Sequence, residues 1–141
     1  VLRPSGIFYS DLNPNRGFNS MLENLSVNHH SDLPEVINRE IRGGLSNGEY
    51  YSEKFGIDEK MLTKAEPVKS YSRGFDTDEV INVAKSIGFS DIKVEYFWYL
   101  GQSYLSRQSK YDEINAVEDF LQMLLPASGE YYKYLRFIFR K

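Results

Sequence analysis

The chain has 141 residues, 17 Lys and Arg against 20 Asp and Glu, a net charge of −3, 15% aromatic residues and no cysteine. That length supports one core burying roughly 68–70% of the surface an unfolded chain exposes, and the dispersed, slightly acidic charge excludes the basic field that attracts nucleic acid. Lack of cysteine excludes a disulfide framework and a thiolate metal site, and no run of about 18 apolar residues exists to cross a bilayer. The expectation is a single domain or fragment over 1–141 in the cytoplasm, with no nucleic-acid and no membrane partner.

The first apolar run, residues 7–10, is entered through Pro4, Ser5 and Gly6 and predicts a short buried strand. Asp11-Leu12-Asn13-Pro14-Asn15-Arg16-Gly17 follows. Asn and Asp bond their own backbone and Pro14 lacks an N–H, so this heptapeptide reads as a turn. A short helix is expected over residues 18–25 and a clearer one over residues 32–42. There Asp32 and Glu35 have capping-box spacing, Pro34 sits in the first turn, and Leu33, Val36, Ile37 and Ile41 share a face. Gly43-Gly44 is expected to stop that helix. From there to Arg73 no period is sustained, so residues 12–74 read as one long insertion and a possible substrate cover.

The strongest local signal runs over residues 75–99, a helix followed by a strand. Asp76 and Glu79 fit a capping box, Phe75 and Val80 a hydrophobic staple, and Gly88 a left-handed helix exit. Val80, Val83, Ala84 and Ile87 form the apolar stripe. Residues 92–99 alternate at first, and then Tyr96, Phe97, Trp98 and Tyr99 are apolar on both faces and read as core. Residues 100–130 form a second insertion with an amphipathic helix over about 112–125, its face made of Ile114, Val117, Leu121 and Leu124 and its end at Pro126. The run over residues 131–140 has no breaker and predicts a final strand.

The opening Leu2-Arg3-Pro4-Ser5-Gly6 before hydrophobics, the helix ending Ile87-Gly88-Phe89, the strand Ser90-Asp91-Ile92-Lys93-Val94 and the closing Leu135-Arg136-Phe137-Ile138-Phe139-Arg140-Lys141 together resemble the C-terminal half of a class I S-adenosylmethionine-dependent methyltransferase. Ser5 stands where the family's first Gly is usual. The resemblance covers about half of the chain and implies an α/β fold: the last part of a Rossmann-like sheet of three strands, with the final strand antiparallel between the fifth and sixth, carrying helical insertions. It implies an excised piece whose cofactor-binding half lies upstream. The glycine-rich loop after the family's first strand and the acidic residue after its second have no counterpart here. S-adenosylmethionine is therefore expected in the complete enzyme and not on this chain alone. A sheet with one crossover helix leaves large apolar side chains uncovered, each costing about 1.5–3 kcal/mol relative to burial. The expected cover is the upstream half, a second copy of the chain, or the insert helices.

Asp11, at the carboxyl end of the first strand, is the candidate catalytic base, and Asn13 and Asn15 beside it are candidate substrate-binding residues, each also explicable as part of a turn. Asn13-Pro14-Asn15 lacks the second Pro and the aromatic of the amino-methylating DNA enzymes. Tyr50, Tyr51 and Tyr71 are candidate linings of an acceptor pocket. Arg39 and Arg42 lie three apart, able to hold a carboxylate or simply to face solvent. His29-His30 reads as an exposed loop with no acidic partner at ligand spacing, so no metal site is expected. The functional expectation is the substrate-side half of a methyltransferase acting on a small molecule. The alternative is a non-catalytic α+β binding or assembly module.

Overall fold

The computed structural model describes residues 3, 5–28, 33–45, 52–58, 60–61, 64, 74–108 and 111–141. Its frame is a three-stranded sheet of β1 (Ile7–Pro14), β2 (Asp91–Tyr99) and β3 (Tyr132–Arg140) in the order β1-β3-β2. The last strand lies between the other two and antiparallel to both, so β1 and β2 run parallel. Helices α1 (Arg16–Asn28) and α2 (Glu35–Leu45) follow β1, α3 (Thr77–Ser86) precedes β2, and α4 (Gln102–Gln108) and α5 (Tyr111–Met123) join β2 to β3 through a 3-10 turn at Gly129–Tyr131.

The helix-to-strand unit forms as its local signals dictate. Asp76 accepts the Glu79 N–H at 3.0 Å, and Gly88 (φ +92°) carries the chain out of α3. Ala84 packs with Leu135, Phe137 and Phe139 of β3 into a core flanked by Phe75, Val80, Phe89, Ile92, Val94 and Tyr96. Val83 and Ile87, also on the apolar stripe, are 60% and 57% exposed. The stripe is thus only half covered. The helix over residues 112–125 is α5, and it has no fully buried residue; Val117 and Leu124 of its expected face are exposed.

Two expected boundaries are corrected. The heptapeptide read as a turn is instead the end of β1 and the cap of α1. The strand continues to Pro14 because Asp11 and Leu12 together oppose Arg136, a bulge between Ser10↔Phe137 and Asn13↔Leu135. Pro14 is tolerated because β1 is an edge strand in the described structure and its ring needs no ladder donor there. The second correction is at α2, which runs through Gly43 and Gly44 to Leu45. Pro34 O accepts from Ile37 and Asn38 N–H at its start. Asp32, the expected cap, lies outside the described residues.

The sheet's two outer edges differ. On β2, Gln122 of α5 donates to Tyr96 O at 2.9 Å. On β1, the carboxyl end is closed by a parallel bridge in which Phe75 N–H donates to Pro14 O (2.8 Å) and Arg16 N–H to Phe75 O (3.0 Å). Further back, the bond from Lys141 N–H to Gly6 O makes Ile7↔Arg140 a non-hydrogen-bonded pair. Antiparallel alternation then turns the N–H and C=O of Ile7 and Tyr9 outward. Among the described residues nothing pairs with them, and Ile7 and Tyr9 are 55% and 57% exposed.

Candidate functional site

Parallel strands β1 and β2 end on one side of the sheet, and carboxyl ends of parallel strands are where open α/β sheets bind ligands. Asp11 sits there, on the face opposite α3. Its Oδ1 accepts the Leu12 N–H at 2.8 Å, and its Oδ2 accepts from the Tyr9 hydroxyl at 3.0 Å and from Arg136 at 3.2 Å. Arg136 donates to Glu95 as well, at 3.0 Å, and Glu95 pairs with Lys93 at 2.6 Å. The Arg136 hydrogen bond holds the Asp11 carboxyl below its usual range, while Lys93 and Arg136 do the same for Glu95. A carboxylate so stabilised is a weak proton acceptor. Asp11 is better suited to fixing the strand end than to taking a proton.

The two asparagines point inward. The bulge shifts Asn13 onto the α3 face, where its amide donates to Leu135 O at 3.1 Å and its Oδ1 accepts from Ser10 at 2.9 Å. Asn13 also lines the hollow between β1 and α3. Asn15 donates to Gly129 O and Tyr132 O, both at 2.8 Å, and accepts the Gly17 N–H at 3.0 Å. Every polar atom of the Asn15 amide is engaged by the protein, so it binds the chain to itself. Tyr50, Tyr51 and Tyr71 lie outside the described residues, as do His29 and His30. Among the described residues no group of three His, Asp or Glu could hold a metal ion, and no helix is long and apolar enough to cross a membrane.

The structure adds a cleft that the sequence reading missed. Leu12 and Trp98 line one hollow of about 430 Å³ together with Tyr134 of β3, Arg39 of α2 and Ser103 of α4. A second hollow, of about 270 Å³, shares Arg39, Glu40 and Ser103 and adds Arg107 of α4. Leu12 (φ +55°) and Trp98 (φ +63°) both occupy the left-handed backbone region. For such side chains this costs on the order of 1–3 kcal/mol each, and strain of that kind collects at functional sites. Trp98, expected in the core, is 44% exposed, whereas Tyr99 beside it is 2% exposed. Sequence alternation carries no signal for a left-handed residue inside a strand. The dense Asp-Leu-Asn-Pro-Asn run was the only hint at Leu12.

One glycine follows each of the two parallel strands among the described residues. A Cβ at Gly17, after β1, meets Asn15 Oδ1 at 3.3 Å, and one at Gly101, after β2, meets Val36 Cγ2 at 3.5 Å. Among the described residues neither passage is glycine-rich. No protein-family model, curated protein or solved structure matches this chain.

Proposed function

We propose that this chain is the acceptor-side edge of a class I S-adenosylmethionine-dependent methyltransferase acting on a small molecule in the cytoplasm, with the cofactor-binding half lying ahead of Val1. One observation carries the reading: the final strand β3 lies antiparallel between the parallel strands β1 and β2. This is the arrangement the resembling family uses at the far edge of its sheet, and β1 would take the fifth position. Support also comes from the outward Ile7 and Tyr9 backbone and from the apolar groove of about 690 Å³ between β1 and α3, lined by Phe8, Val83, Ile87 and Phe139. A strand and a helix from the upstream half would fill both. The analogy is one of fold, and the chemistry must be tested on the site.

In this reading the cleft under α2 and α4 receives the acceptor, and the chain's contribution is placement and exclusion of water. Arg136 and the bulge it clamps set where the end of β1 lies, which makes Asp11 a positioning residue. The same open edge also supports a second reading, a non-catalytic module that pairs β1 with another copy of itself. Calorimetry separates the two. The chain joined to its upstream half is expected to bind S-adenosylmethionine stoichiometrically, with no binding heat from residues 1–141 alone. Silence from the joined protein, or tight binding by the short chain, overturns the proposal.

A further inference from the structure

We infer that the cleft between α2 and α4 is a binding site for a small molecule with an anionic group on an apolar body, held by Arg39 and Arg107 above Trp98, Tyr134 and Leu12. As the acceptor class, this rests on the methyltransferase reading; as a binding site, it rests on the cleft alone. Four charged side chains besides the two arginines bear on it. Glu40 is neutralised by Lys133 at 3.0 Å and Glu35 by Arg42. Among the described residues neither Arg39 nor Arg107 is in an ion pair, and both line the same hollow. The cleft's acids are therefore matched while two guanidiniums are left over, in a protein whose net charge is −3. An excess of cation at the rim of a hollow in a net acidic chain is a local feature, and guanidinium is the side chain that bonds carboxylate and phosphate with paired donors.

The floor has a different chemistry. Trp98, Tyr134 and Leu12 line it, Trp98 at 44% and Leu12 at 63% exposure. Leu12 and Trp98 reach this adjoining hollow, which shares Arg39, Glu40 and Ser103 with the one Arg107 lines, in left-handed conformations. The site so built has a charged rim and an apolar base, which suits an amphiphilic acid better than a free inorganic ion. Carboxylate and phosphate share the recognising chemistry, and the experiment separates them.

Trp98 is the sole tryptophan of the chain, so its fluorescence reports occupancy directly. Titration with phenylacetate and with phenyl phosphate is expected to give a saturable change with at least one of them; the tighter anion identifies the group. The neutral isostere phenylacetamide is expected to bind at least ~10-fold more weakly, and Arg39→Ala and Arg107→Ala, both on exposed helix positions, to weaken the anion by ~10-fold each. Arg39→Lys keeps the charge but loses the paired donors and should fall between. No saturable response to either anion, equal affinity for phenylacetamide, or arginine variants that bind as the parent does each overturn the inference. The titration involves neither cofactor nor methyl transfer, so its failure is distinct from a failure in calorimetry with S-adenosylmethionine.

Discussion

Asp11 and Glu95 share the Arg136 guanidinium, and Glu95 is also bound by Lys93. Both carboxyls are held below their ordinary range, Asp11 chiefly by its bond to Arg136 and Glu95 chiefly by Lys93 with Arg136 second. A carboxyl whose folded value is depressed contributes stability that is whole above its unfolded value, about pH 4, and is lost as pH falls through the lower folded value. Asp11→Asn is accordingly expected to be less stable than the parent at neutral pH, with the gap closing below about pH 4 as the parent's own carboxyl protonates. Urea denaturation at several pH values measures this, and a gap independent of pH would contradict the ion-pair account. At Asn13 and Asn15 the sequence supports a turn or a substrate contact. The carbonyls to which their amide N–H groups donate, Leu135 O, Gly129 O and Tyr132 O, are 114 to 122 residues away in the chain, and no local rule can see them.

Elements whose signals are local were legible, and those set by distant partners were not. The α3 cap at Asp76, the Gly88 exit and the alternation of β2 all operate within a few residues, and they emerge as read. The end of β1 depends instead on Phe75, which arrives from beyond the long insertion to form the bridge at Asn15. Gly74 makes that approach possible: its φ is +111°, and a Cβ there would lie 2.6 Å from Pro14 O and 2.8 Å from Arg16 N. Those atoms are backbone and cannot swing aside. Gly74→Ala is therefore expected to cost about 2 kcal/mol or more, since both the φ and the contact are incompatible with a side chain. Equilibrium unfolding checks this; an alanine variant as stable as the parent would mean that the bridge does not hold β1 to α3. The passage of α2 through Gly43 and Gly44 shows the converse. Two glycines at about 1 kcal/mol each are outweighed by packing and by the Lys133–Glu40 pair.

At the scale of the whole molecule, the strand order expected from the resemblance is the order found, and the half-covered sheet was foreseeable from the ratio of apolar residues to covering helices. The cleft was not foreseeable, because it is made by left-handed residues on two strands and by helices whose relative placement is a tertiary property. Ile7 and Tyr9 on β1 and Val83 and Ile87 on α3 are large and more than half exposed. Exposed apolar surface next to unpaired strand backbone marks an interaction surface. In the proposed reading an upstream strand and helix would complete this sheet. Amide hydrogen exchange at β1 tests it residue by residue, because Phe8 and Ser10 face β3 while Ile7 and Tyr9 face outward. In residues 1–141 alone, Phe8 and Ser10 should be protected and Ile7 and Tyr9 should exchange freely. With the upstream half attached all four should be protected, and free exchange at Ile7 and Tyr9 in that protein would contradict the account.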